Sequence, residues 1–202
     1  MTRPSKRPSA RPSTRRRLAA LAALALLFAG CGDDPEPKMP PSSDPSPSTT
    51  TTPSRTADAA VEPTLPPEAK GNDEAAAEAF IRYYWSLANY VQATGHVKAF
   101  REVALPSCVT CSRSADYFER SYRKGGYLRG GEYSITRVKV DPGAEGAGVR
   151  SFVAEVSLTS APSTERATAS ASPIEHDATN QSIVMSLLSS GSGFKVASWE
   201  GK

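Results

Sequence analysis

The spacing with most chemical content in this chain is Cys108-Val109-Thr110-Cys111. Two thiols three residues apart at a helix start place the first sulfur at the positive end of the helix dipole, which favours its thiolate. The pair is read as a structural disulfide, a redox couple or half of a metal site. Zinc would need two more ligands, and His96 and His176 stand isolated in the sequence. A redox couple of the thioredoxin type would sit in a strand-helix-strand context, whereas the segment before Cys108 reads as a helix ended by Leu105-Pro106. Closing so short a loop contributes only ~2 kcal/mol in the chain-entropy account, enough to pin a helix start and too little to hold a fold. Asp116 follows soon after, and with Tyr83 or Tyr84 it would form an acid-base pair if the fold brought them into one pocket. A basic run (Arg113, Arg120, Arg123, Lys124, Arg129, Arg137, Lys139) is opposed only by Asp116, Glu119 and Glu132. It is either a solvated face or a surface for anionic lipid headgroups and wall polymers. Trp85 and Trp199 read as core or rim residues. The chain has no Gly-x-Ser-x-Gly, phosphate-binding glycine loop, His-Glu-x-x-His or dinucleotide fingerprint, so no cofactor is implied and nothing demands catalysis.

The elements that must position these groups are legible from periodicity. Asn72 is a plausible N-cap, with Asp73 and Glu74 in the first turn; Ala76, Phe80, Tyr84, Leu87 and Val91 recur at helical spacing, and Gly95 ends the run. A short second helix covers about residues 97–104. Ser107 can cap a third, with Cys111, Ala115, Phe118 and Tyr122 on one face and Gly125-Gly126 at its end. After Gly131 the period changes to two: Phe152, Ala154, Val156 and Leu158 alternate with polar residues, as do Ile183, Met185 and Leu187. Tyr133 and Ile135 are out of phase with Val138 and Val140, which predicts a bulge. Glycine-rich turns at 141–148 and 189–193 separate strands. The polar stretch 162–172 is an edge strand or a loop. Three helices followed by an antiparallel sheet make an α+β layout.

Upstream the chain carries an address. Arg15-Arg16-Arg17 precede an apolar run of 13 residues, Leu18 to Gly30, too short to span a bilayer core of ~30 Å and suited to the hydrophobic region of a secretory signal. Ala29-Gly30-Cys31 resembles the lipobox of bacterial lipoproteins, in which cleavage precedes a diacylglyceryl-modified cysteine; Phe28 stands where Leu is typical. Lipidation of Cys31 gives the odd cysteine a role and leaves Cys108 and Cys111 as an even pair suited to an oxidising compartment. The whole chain is formally +3, but seven of its 24 Lys and Arg residues and none of its 21 acids precede Cys31. The mature chain therefore has 17 bases against 21 acids, net −4, and a nucleic-acid partner loses its main support. From Gly32 to Gly71, 40 residues contain ten of the 17 prolines and no aromatic, which predicts a disordered tether with ends ~35 Å apart. The expected organisation is a signal peptide at 1–30, the lipidated cysteine and tether at 31–71 and a globular domain at 72–202.

The aromatic first helix, the Thr94-Gly95 break, the Cys108-x-x-Cys111 helix start and the closing Gly191-Ser-Gly-Phe-Lys-Val-Ala-Ser-Trp199 resemble a family of uncharacterised actinobacterial lipoproteins. That layout is similar to the nuclear-transport-factor-2-like (cystatin-like) cone, in which helices close one end of a curved antiparallel sheet around a pocket. The resemblance spans about residues 74–199. It implies a fold and a location at the extracytoplasmic face of the cell membrane, with no catalytic residues to carry over. The expected function is a membrane-anchored, non-catalytic binding domain for a small apolar ligand or another envelope component, with Tyr83, Tyr84 and Asp116 as pocket candidates. The alternatives are a cone-fold isomerase or cyclase with Asp116 as base, and a thiol-disulfide protein using Cys108 and Cys111.

Overall fold

The computed structural model describes residues 60–202, and the expected signal peptide, Cys31 and most of the tether lie outside them. Helix α1 (Glu74–Thr94) is the axis of the domain. Asp73 is its cap: the carboxylate accepts from the Ala76 amide at 2.8 Å, one residue later than Asn72, the sequence-based choice. At the other end Gly95 adopts φ 72° and returns its amide to the Val91 carbonyl. Tyr122 occupies the space beside it, so that a Cβ at position 95 would lie 2.5 Å from the Tyr122 ring. Phe80, Ile81, Tyr84, Leu87 and Val91 are almost wholly buried along one stripe, and each such side chain contributes about 1.5–3 kcal/mol of transfer free energy.

Two shorter helices follow, α2 (Lys98–Glu102) and α3 (Val109–Arg123). The cap of α3 is Cys108, whose Sγ accepts from the Cys111 amide at 3.3 Å, rather than Ser107. Among the described residues seven strands follow: β1 (Tyr127–Gly130), β2 (Tyr133–Gly146), β3 (Val149–Ser160), β4 (Ser163–Arg166), β5 (Ile174–His176), β6 (Thr179–Ser190) and β7 (Gly193–Gly201). The architecture is α+β, with two antiparallel sheets where a single one was expected. The larger has order β2-β3-β6-β7 and the smaller β1-β4-β5. The stretch 162–172 thus contributes β4, the middle strand of the small sheet.

The expected bulge is present as a register shift between Ile135 and Arg137, and a second lies between Pro142 and Glu145. Phe152, Ala154, Val156 and Leu158 of β3 and Ile183, Met185 and Leu187 of β6 point into the core with the buried stripe of α1. Asn89 joins helix to sheet: its side-chain oxygen accepts from the Tyr133 amide at 2.8 Å and its nitrogen donates to the Tyr133 carbonyl at 2.9 Å. Beyond β7, the segment 103–105 runs parallel to it; Val196 N donates to Val103 O at 2.9 Å and Leu105 N to Val196 O at 2.8 Å. The packed structure also begins before Asn72. Residues Pro67–Lys70, placed by sequence in the tether, form a 3-10 turn that buries Ala69.

Candidate ligand cavity

The buried stripe of α1 carries aromatic and polar residues as well as aliphatic ones, and these open a cavity beside the core. Its α1 wall is Tyr84, Trp85, Ala88, Val91 and Gln92. The remaining walls are Phe100 of α2, Ser114 and Phe118 of α3, Tyr133 of β2 and Trp199 of β7. About 50 Å³ is open to the centres of water-sized molecules, within about 370 Å³ of empty space that runs out to solvent. No charged side chain lines it.

The rings are fixed against one another. Trp85 meets Tyr133 edge-on at 4.9 Å between centroids and Trp199 at 5.7 Å, and Tyr84 lies 4.8 Å from Phe100. A polar relay crosses the floor: Trp199 Nε1 donates to Tyr84 Oη at 2.9 Å, and Tyr84 Oη donates to Cys111 Sγ at 3.5 Å. Burial raises the Tyr84 pKa well above the ordinary tyrosine range, against a smaller lowering by the Trp199 hydrogen bond. The phenol is therefore a neutral wall group. Tyr133 is likewise held protonated by burial, and the Gln92 amide beside it acts in the opposite direction.

Trp85 Nε1, Gln92 Oε1 and Arg166 Nε are the buried side-chain polar atoms without a hydrogen-bond partner among the described residues. Two of these three belong to cavity walls. Both residues are more than nine-tenths buried, Trp85 at 4% exposure and Gln92 at 6%. An unpaired buried donor or acceptor costs about 1–3 kcal/mol, so each of these atoms lowers the stability of the fold.

The structure separates the expected pocket residues. Tyr84 lines the cavity. Tyr83 does not: it packs against Phe80 with centroids 6.4 Å apart, and its pKa is raised by burial and by the nearby carboxylates of Glu62 and Glu102. Asp116 stands on the exposed face of α3, where Arg101 donates to it at 2.7 Å and Arg120 lies 3.8 Å away. Arg101 also reaches Glu119 at 3.0 Å. The Arg101 hydrogen bond holds the Asp116 carboxyl below the usual carboxylate range, which weakens it as a base. The isomerase or cyclase alternative thus lacks its base in this cavity. Gln92, a polar residue seven positions after Trp85 on a buried helical stripe, is the sequence signal that marks this wall.

Cys108 and Cys111 form a disulfide, with the sulfurs of residues that are 0% and 3% exposed. The pair lies at the start of α3 with little accessible sulfur, which favours the structural reading of the disulfide over thiol-disulfide exchange. In the basic run, Arg120 and Arg123 pair with Asp116 and Glu119, and Lys139 pairs with Asp141 at 2.8 Å, all at the surface. His96 bonds Tyr90 at 3.1 Å and His176 bonds Glu165 at 3.1 Å. No group of three or more His, Cys, Asp or Glu residues among the described residues is arranged to hold a metal ion.

A family model described as a family of unknown function, DUF6318, matches residues 46–187. No curated protein matches the chain. Among solved structures, the crystal structure of the intermembrane space region of the chloroplast protein ARC6 is similar at 12% identity and a TM-score of 0.45, covering 65% of this chain and 97% of that chain.

Proposed function

The chain belongs to the DUF6318 family of unknown function, and we propose that it is a lipid-anchored extracytoplasmic domain that binds a small, largely apolar ligand between α1, α3 and β7. The observation that carries this reading is the aromatic cavity that runs out to solvent, with no charged side chain on its walls. Such concave, predominantly apolar sites with a few polar groups are the usual form of a small-molecule site. A nuclear-transport-factor-2-like cone, in an actinobacterial lipoprotein whose Cys31 carries the acyl chain, is the finer form of the proposal. It rests on the lipobox-like Ala29-Gly30-Cys31 and on the order of helices and strands. No helix of the described residues is long and apolar enough to cross a membrane.

Two measurements test the two halves. Titration of the domain with toluene, followed by calorimetry and by the fluorescence of Trp85 and Trp199, is expected to saturate at one site, and a Val91→Trp change that fills the cavity is expected to abolish it. A linear, non-saturating response would refute the cavity reading. Radiolabelled palmitate is expected to label the full chain and to spare Cys31→Ser; equal labelling of both would refute the anchor.

A further inference from the structure

The small sheet carries a separate cluster of charged and aromatic side chains, none of which lines the cavity. Residues two apart on a strand share a face, so Tyr127 and Arg129 of β1 project to the same side. The register sets Arg166 of β4 directly opposite Tyr127, and therefore on that side too. Gly126 allows the approach: a Cβ there would lie 2.4 Å from the Arg166 carbonyl oxygen, and its absence lets the turn after α3 press against the end of β4.

The result is one ring that carries two guanidinium groups. Arg129 Cζ lies 4.4 Å from the Tyr127 ring centroid and Arg166 Cζ 4.7 Å from it. One terminal nitrogen of Arg166 donates to the Gly125 carbonyl at 3.2 Å, which fixes the group further, and its enclosed Nε faces no solvent. Cation–π attraction orders both groups and neutralises neither. Among the described residues no carboxylate pairs with Arg129 or Arg166. The acids of β4 and β5 are committed elsewhere. Glu165 alternates to the opposite face, where it accepts from Tyr117 and meets His176 Nε2 at 3.1 Å. Glu175, across β4 from Arg129, accepts from the Thr164 hydroxyl at 2.8 Å.

Two like charges held on one ring repel, and an anion bonded to both relieves that repulsion. The donors define its chemistry. A guanidinium presents paired N–H groups that match carboxylates and phosphates two oxygens at a time. A carboxylate, with one pair of oxygens and one charge, satisfies a single guanidinium. A terminal phosphate, with three free oxygens and a charge of about −1.5 to −2 at neutral pH, can satisfy two.

We propose that Arg129 and Arg166 form a binding site for a terminal phosphate group, carried by a soluble molecule or by a lipid head. The terminal nitrogens of the two side chains bond the phosphate oxygens, and Tyr127 is the positioning residue that holds them in place. The site belongs to the small sheet alone and is independent of the cavity and of the lipid anchor.

The test follows the arginine side-chain Nε–Hε signals of the isotope-labelled full chain, carrying Cys31→Ser, by nuclear magnetic resonance. Inorganic phosphate, added at neutral pH and constant ionic strength, is expected to shift two arginine signals to saturation, and acetate to bind roughly tenfold more weakly. Arg129→Gln is expected to weaken phosphate roughly tenfold, and Arg129→Lys, which keeps the charge and loses the fork, by a similar factor. Arg129 is exposed, so these variants keep the fold even if substitution of the more enclosed Arg166 does not. Co-sedimentation with phosphatidylcholine vesicles, with and without phosphatidic acid, identifies the source. Retention by phosphatidic acid that Arg129→Gln abolishes assigns a lipid head; phosphate binding without such retention assigns a soluble phosphate. If phosphate shifts neither arginine, if acetate matches phosphate, or if either variant binds within about twofold of wild type, the site is overturned while the cavity reading stands.

Discussion

At the scale of single residues, the most informative group is Tyr84, which sits where the cavity, the core and the disulfide meet. Its hydroxyl accepts from Trp199 and donates to Cys111 Sγ while the ring is fully buried. Because burial raises its folded-state pKa above the unfolded value near 10.0, the stability that comes from keeping it protonated is complete below that value. It is then lost as the pH climbs, at about 1.4 kcal/mol per pH unit for one such group. Urea unfolding between roughly pH 9 and 11 is therefore expected to show a steep fall in stability that Tyr84→Phe flattens. Identical slopes for the two proteins would show that Tyr84 is not the group responsible. Tyr117, raised to about 12 by burial and the Glu165 carboxylate, adds a smaller share because it is more than a third exposed. The sequence marked Tyr84 by its helical phase. It could not mark Trp199 and Gln92 as its neighbours, because one enters from the last strand and the other lies two turns further along the helix, and only packing brings them to one cavity.

At the scale of elements, Asn89 carries a claim that can be measured. Both atoms of its amide are spent on the backbone of Tyr133, so the side chain acts as one more rung between α1 and the start of β2. Removing it leaves a half-buried amide and carbonyl without partners, and Asn89→Ala is expected to lower stability by about 1–3 kcal/mol in chemical denaturation. A loss under 0.5 kcal/mol would mean that solvent replaces the clamp. The helices were legible in outline because Phe80, Tyr84, Leu87 and Val91 repeat at the helical period and glycines mark their ends. Their caps were misplaced by one residue: Asn72 and Ser107 have suitable side chains, yet Asp73 and Cys108 have the extended backbone of a cap. The long strands were legible through alternation. β1, β4 and β5 were not, since they are three or four residues long and carry polar or partly exposed side chains, so that pairing between them rather than pattern defines the small sheet.

At the scale of the whole molecule, the disulfide does local work. In the chain-entropy account so short a loop contributes about 2 kcal/mol, and the Cys108→Ser, Cys111→Ser double variant is expected to lose about that much while keeping its fold. Serine at 108 retains an acceptor for the amide at 111 and so preserves the cap. Thiol quantitation on a Cys31→Ser chain should find no reactive sulfur after mild reductant on the native protein and two after reduction in denaturant. Two reactive thiols in the native state would show that the bridge is accessible. The segment 103–105 acts at this same scale. A strand that ends a sheet offers a row of free amides and carbonyls on which another copy can template itself. Where β7 crosses Val196, both backbone groups on that side are already taken by Val103 and Leu105. On the opposite flank, β2 is broken by two register shifts and carries Pro142. Neither flank of the larger sheet therefore presents an unbroken ladder, which disfavours the templating of another copy along it.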